Sequence, residues 1–172
     1  MASGKQHNKG IYIAFAVSSG ISVPLAIANP FNIPYLISFN IGILSGVVFN
    51  PDLDFAHRAF SFKNPKRVEP VKRWGPLAII WAPYGFFIPH RSFLSHGPII
   101  STLIRVGYFI GCLWLASHLR WVGDFIDFPW ILDSLDDPRF IFWLIGLAGA
   151  DIIHLLMDGG KTTNHGKPGF LK

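Results

Sequence analysis

Imidazoles and carboxylates stand at four separated places in this sequence. They are His7; Asp52 and Asp54 within Asn50-Pro51-Asp52-Leu53-Asp54; His90 and His96 within His90-Arg91-Ser92-Phe93-Leu94-Ser95-His96-Gly97-Pro98; and His154 with Asp158. Imidazole and carboxylate together form a donor set for a divalent transition metal such as Zn, Mn, Fe or Ni. Seven candidates exceed the four ligands of tetrahedral zinc. They allow one ion, or a two-metal centre whose ions stand roughly 3.5–4 Å apart and clamp an oxygen substrate. His154 and Asp158 are spaced i, i+4 and share a helical face. Asp52 and Asp54 point the same way if Pro51 opens an extended stretch.

Each group also has an ordinary reading. His7 fits an interfacial histidine, and His90 and His96 fit surface positions. Asp52 and Asp54 fit turn or cap carboxylates beside a proline. His154 resists such a reading, because an ionisable side chain inside an apolar helix is costly without a partner. The lone cysteine, Cys112, excludes an intramolecular disulfide and a Cys-based zinc site. It falls in an apolar run and reads as a small buried thiol.

The elements that must position these residues are apolar. Of 172 residues, 51% are hydrophobic and only 15% charged, against about 25% charged in soluble domains. The chain is read as a single all-α membrane domain. A spanning helix needs roughly 20 mostly apolar residues, and four runs meet or approach that: 11–28, 33–49, 98–117 and 140–157. The expected architecture is a four-helix transmembrane bundle. Asn29-Pro30-Phe31-Asn32 makes the first two runs an antiparallel hairpin, and Pro24 predicts a kink in the first. The first run is read as a retained helix, since Val17-Ser18-Ser19-Gly20 is a poor cleavage signal. Gly42, Ser45, Gly46, Gly146, Gly149 and Ala150 suit close helix packing. A fifth run, Leu77 to Ile88, is divided by prolines and rich in aromatics. It reads as a re-entrant or interfacial segment, or equally as a loop packed over the bundle.

The net charge of +5 lies between the apolar runs rather than in one soluble patch, so nucleic acid is not the expected partner. Four spans place both termini and the long middle loop on one side. That side carries Lys5, Lys9, Arg58, Lys63, Lys66, Arg67, Lys72, Arg73, Arg91, Lys161, Lys167 and Lys172, twelve of fifteen basic residues. The other side holds Arg120 and Arg139. The positive-inside rule then predicts a multi-pass protein with both termini cytoplasmic. The same topology puts His7, the Asp pair, the His90/His96 segment and the His154/Asp158 helix end at one membrane face. His118 falls at the opposite face, and His57 and His165 have weaker claims.

Asp151 lies one turn before His154, and Arg105 lies within the third span. Pairing between Asp151 and Arg105 lowers the cost of burying both; Asp151 could instead accept the second ring N–H of His154. It is read as a support rather than a ligand. Arg91 follows one candidate ligand and Arg58 follows His57. Guanidinium groups suit a phosphate- or carboxylate-bearing substrate, small or lipid, although plain positive-inside charge explains them equally.

The succession Ser3-Gly4…His7, Pro51-Asp52-Leu53-Asp54, Arg73-Trp74-Gly75-Pro76, His90-Arg91-Ser92…Ser95-His96-Gly97-Pro98 and His154…Asp158 resembles an uncharacterised prokaryotic family described as metal-binding membrane proteins. It is more remotely similar to predicted inner-membrane metal-dependent hydrolases that share the Pro-Asp-x-Asp, His-Arg…Ser-His and late His…Asp elements. The resemblance implies metal binding by His7, Asp52, Asp54, His90, His96, His154 and Asp158. In the hydrolase group the third motif ends in His-Ser, whereas Gly97 follows His96 here, which weakens the hydrolase reading more than the metal site.

Three functions follow. The first is a metal-dependent hydrolase acting on an ester or phosphoester of a lipid-like substrate, with Arg91 holding the anionic group and Asp54 or Asp52, where not ligated, as general base. The second is a non-catalytic metal-binding assembly or storage factor. The third, a metal carrier, ranks last, because the outer halves of the spans offer only Ser18, Ser19, Ser22 and Asn40.

Overall fold

The computed structural model describes residues 4–60 and 68–159, and among them every regular element is helical. Ser3, Lys63, Lys66, Arg67, Lys161, His165, Lys167 and Lys172, and the side chain of Lys5, lie outside what is described. The long helices are α1 (Gly4–Ala28), α2 (Ile33–Ser45), α6 (Ile100–Ser117) and α8 (Pro138–Met157). Between them lie short helices α3 (Glu69–Trp74), α4 (Ala82–Phe87), α5 (Phe93–His96) and α7 (Phe128–Leu135), with 3-10 segments at Pro30–Asn32, Pro51–Phe60, Gly75–Trp81 and Gly123–Phe125.

Three helices are long and apolar enough to cross a membrane: Gln6–Ala28, Ile100–Ser117 and Pro138–Met157. The run expected at 33–49 gives a helix of only 13 residues. It ends at Ser45, and tight turns carry the chain to Asn50. Asn50 precedes a proline, and that position disfavours helical backbone. The first helix begins earlier than the apolar run does, so His7 lies inside it rather than ahead of it. Pro24 sits within α1 without ending it. Large apolar side chains face outward along these helices: Val17 is 58% exposed, Ile27 77% and Ile145 52%. Such continuous apolar surface suits hydrocarbon rather than water.

The closest helix pair is α2 with α8. A Cβ on Gly42 would collide with the backbone carbonyl of Trp143, and one on Gly146 with that of Phe39. One on Gly46 would meet the Ala150 side chain. Small residues therefore let the two backbones touch, the packing that replaces hydrophobic drive in lipid. Gly149, expected to take part, faces open space instead. Ser45 lies at the seam's edge and accepts a 3.0 Å hydrogen bond from the Trp143 indole.

Helix α1 joins through a polar knot. Ser18 and Ser19 donate to Asn40 Oδ1 at 2.5 and 3.1 Å, and Asn40 Nδ2 donates to Ser22 Oγ at 2.9 Å and to Leu36 O at 2.8 Å. The polar groups of these four residues thus find partners between the two helices, as those removed from water generally do.

The Leu77–Ile88 run is two-faced. Trp81 and Tyr84 are buried with Leu53 and Ala56, against Phe49, Trp74, Tyr108 and Phe109. Trp81 stacks on Phe109 at 5.9 Å. Leu77, Ile79 and Phe87 remain exposed. The segment thus packs over the helix ends while presenting an apolar outer side. Gly85 allows α4 to lie directly on the Asp54 carbonyl, pressing the Asp54 segment toward α5.

Candidate metal centre

The 3-10 segment Pro51–Phe60 follows α2 after the turns of residues 46–50. Its geometry corrects one expectation: Asp52 and Asp54 are not on an extended stretch and do not point the same way. Asp54 is fully buried, and His90 Nδ1 donates to its Oδ1 and Oδ2 at 2.8 and 3.0 Å. Asp52 turns instead to α8, where its Oδ1 lies 3.7 Å from His154 Nε2.

Helix α5 is short but capped: Ser92 Oγ accepts from Ser95 N at 3.3 Å. That cap sets Ser95 Oγ 2.8 Å from His96 Nδ1, leaving the buried Nε2 of His96 without a hydrogen-bond partner among the described residues. Arg91, just before it, holds a left-handed φ of 62°. For a non-glycine residue that conformation costs about 1–2 kcal/mol, strain of the kind that collects at functional sites.

The α8 end brings His154 and Asp158 onto one face, their Nε2 and Oδ2 3.8 Å apart. From α1, His7 Nε2 approaches Asp158 Oδ1 to 3.3 Å, and its ring lies 3.8 Å from that of His154. The seven candidates form three overlapping groups: His7, Asp52 and His154; Asp54, His90 and His96; His96, His154 and Asp158. Within each group the ligand atoms lie within 4.8 Å of one another. His96 and His154 each belong to two groups, so the set is continuous.

The residues fit a cation by a test of spacing. Ligand atoms bound at about 2.0–2.1 Å to a tetrahedral ion stand roughly 3.4 Å apart. The separations of 3.3 Å between His7 and Asp158, 3.7 Å between His154 and Asp52, and 3.8 Å between His154 and Asp158 are close to that figure, and the last two are too long for hydrogen bonds. Among the described residues, both ring nitrogens of His7 and of His154, His96 Nε2 and Asp158 Oδ1 are buried without a hydrogen-bond partner. Buried polar atoms are rarely left so.

Electrostatics agree. Burial, then the charge of Asp54, pushes the Asp52 carboxyl up to about 7. Burial pulls the His96 imidazole down to about 4. A divalent cation needs a neutral imidazole and an ionised carboxylate; His96 already has the first form, and a bound cation favours the second for Asp52.

Beneath this layer Arg105 and Asp151 form a buried ion pair, and Thr102 also hydrogen-bonds the same Asp151 oxygen. Asp151 therefore answers Arg105 rather than the second ring nitrogen of His154, which has no hydrogen-bond partner. Arg91 Nη2 lies 3.2 Å from Asp158 Oδ2. Arg58 lies elsewhere, its guanidinium 4.4 Å above the Phe55 ring. His57 Nδ1 donates to the Asp54 carbonyl at 2.8 Å. His118 caps the far end of α6 and hydrogen-bonds Trp114 O. The sequence reading counted Arg73 only as loop charge. It is a half-buried neighbour of Asp52 and His7, and its motif with Trp74, Gly75 and Pro76 was the signal available.

Residues 2–167 match a family model described as "Uncharacterized metal-binding protein (DUF2227)". An uncharacterized protein of Aquifex aeolicus (strain VF5) is 31% identical over 137 residues, covering 72% of this chain and 89% of its own length. No solved structure matches.

Proposed function

From the premise that this chain belongs to the uncharacterized metal-binding protein family DUF2227, we propose that it is a membrane-embedded protein carrying a His/Asp divalent-metal site at the cytoplasmic face of its helices, and that the site hydrolyses an ester or phosphoester of a lipid-like substrate. His7, Asp52, Asp54, His90, His96, His154 and Asp158 hold one or two ions of Zn, Mn, Fe or Ni. The observation that carries this reading is the set of unpartnered imidazole and carboxylate atoms at ligand-to-ligand separation. The two His-bridged groupings leave room for a second ion.

A bound divalent cation supplies Lewis acidity and a water made acidic enough to ionise near neutral pH. The chain's own residues do the rest. Ser95 fixes the ring orientation of His96, and Asp54 fixes that of His90, as carboxylate and hydroxyl partners do behind metal-ligating histidines. Arg91 binds the anionic group of the substrate. Asp54 or Asp52, where not ligated, takes the proton from the attacking water. In the four-span reading, the short α2 completes the bundle by thinning the bilayer locally or by snorkelling of its flanking residues, with both termini cytoplasmic. A non-catalytic assembly or storage factor is the alternative, favoured if all seven donors close around the ions. A metal carrier fits less well, since Ser18, Ser19, Ser22 and Asn40 hydrogen-bond one another rather than line a path.

Elemental analysis of the purified protein, then a phosphatase and esterase panel with and without chelator, tests the reading. One or two ions per chain with chelator-sensitive turnover is the expected result. Tightly held metal with no turnover on any substrate would select the storage or assembly reading.

A further inference from the structure

Arg73 stands beside the cluster without a part in the function above. Its neighbours hold it there. The Trp74 indole donates to Val48 O at 3.1 Å, and its ring packs on Phe49, Trp81 and Phe109. Gly75, at φ 56°, turns the chain away immediately afterwards, a conformation that favours glycine. The Arg-Trp-Gly-Pro motif thus anchors the end of α3 so that the arginine is the residue left facing the site.

The Arg73 side chain is only 8% exposed. Its Nη1 donates to Val47 O, and its Nε lies 3.8 Å from Glu69 Oε2. Its Nε and Nη2 are buried without a hydrogen-bond partner. Arg91 meets the cluster at Asp158: its Nη2, 3.2 Å from Asp158 Oδ2, is also buried and lacks hydrogen-bond geometry. His7 lies within electrostatic reach of both arginines, and Asp52 within reach of Arg73.

A buried guanidinium with unmet N–H groups is expensive. Oxygens of a bound anion meet that need, and the planar fork matches phosphate and carboxylate alike. Two forks distinguish the candidates. A carboxylate has two oxygens, and one bidentate fork already engages both. A terminal phosphoryl group has three, with more charge, and can answer both.

We propose that Arg73 and Arg91 form a two-arginine clamp for the terminal phosphoryl group of a phosphomonoester, seated on the His7, Asp52 and Asp158 side of the cluster. The proposal rests on the metal-site reading and narrows its substrate class. The same chemistry is offered by a soluble phosphate ester and by a lipid with a phosphomonoester headgroup.

The test uses the full chain in detergent, incubated with zinc, with zinc content measured for each variant. Inorganic phosphate is titrated calorimetrically; mixed micelles containing phosphatidic acid are titrated separately, with phosphatidylcholine micelles as control. Wild type is expected to bind inorganic phosphate or phosphatidic acid saturably. Arg73→Gln and Arg91→Gln should each weaken that binding about tenfold or more, the scale of one charge-assisted hydrogen bond, with zinc content unchanged. Arg73→Lys, which keeps charge but not the fork, should recover only part. Tighter binding of phosphatidic acid than of inorganic phosphate identifies a lipid headgroup; the reverse order identifies a soluble ester. Wild type that binds neither probe, or an Arg73→Gln protein that binds like wild type, overturns the clamp. If Arg73→Gln loses zinc through misfolding, Arg73→Lys and Arg91→Gln decide. Zinc-free wild type sinks the metal reading alone, because the phosphate titration still judges the arginines.

Discussion

The α2–α8 seam and the His/Asp layer beside it are built from opposite materials. In the seam, Gly42 and Gly146 remove side chains so that backbone meets backbone. In the layer, four imidazoles and three carboxylates crowd one end of the same helices. The seam is complete as it stands, with every close contact already made. The layer is not, since among the described residues both ring nitrogens of His7 and of His154, His96 Nε2 and one Asp158 oxygen have no hydrogen-bond partner. The contrast separates what holds the fold from what the fold holds. Changes in the seam should destroy structure, whereas changes in the layer should release a ligand and leave the helices standing.

The two largest effects should be of similar size, and one of them should come from Gly146→Ile. Overpacking a core commonly costs 1–3 kcal/mol, and here the added carbons strike a backbone carbonyl that cannot move aside, so about 3 kcal/mol or more is expected. Thermal melting in detergent should show little folded protein. Gly149→Ile, whose Cβ meets open space, should melt like wild type; if both melt alike, the seam is not where the fold is decided. The other is Asp151→Leu, which strands the buried Arg105. Breaking a buried pair costs about 3–5 kcal/mol, and adding Arg105→Met should recover much of it. The same melting assay reads this, and no recovery in the double variant refutes the pairing.

His154→Ala should leave the helical circular dichroism signal intact while removing most bound metal, because His154 belongs to two of the three ligand groupings. His118→Ala, at the far end of α6, should retain the wild-type amount. Equal retention in the two proteins sinks the site. The smallest effect on stability should come from Asn40→Leu. Polar contacts between helices in lipid average roughly 0.6 kcal/mol, so several lost together should lower the melting temperature by a few degrees, with metal content the more sensitive readout.

The sequence made the helices legible because apolar length and proline-marked turns are local signals. The Asn29-Pro30 turn between α1 and α2, where Asn29 Oδ1 accepts from Phe31 N at 3.2 Å, is one. The seven donor residues were legible for a related reason: their types are rare in apolar runs, and the expected alternation of spans placed their helix ends at one face. Other features depend on distant partners and were not. The divergence of Asp52 from Asp54 follows from a 3-10 segment held by α4 packing across Gly85. No pattern in α8 alone separates Gly146 from Gly149; only the presence of α2 does. Arg73 was hidden because a basic loop residue near a membrane has a sufficient topological explanation. The length of α2 was misjudged because Gly46 to Phe49 continue its apolar run after the helical hydrogen bonds have stopped.

The Asn40 knot also acts at a distance. On α1, His7, Ile11, Ala14, Phe15, Ser18 and Ser22 recur at helical intervals, and His7 stands about three turns from Ser18 on the same stripe. Most of α1 faces outward, and beyond the strip of Ile11, Ala14 and Phe15 little apolar packing resists its spinning about its own axis. The serine–asparagine bonds supply that resistance, like a key in a shaft. A bend or slip there would be felt most at the helix tip, where one residue of rotation would swing the His7 imidazole out of reach of Asp158.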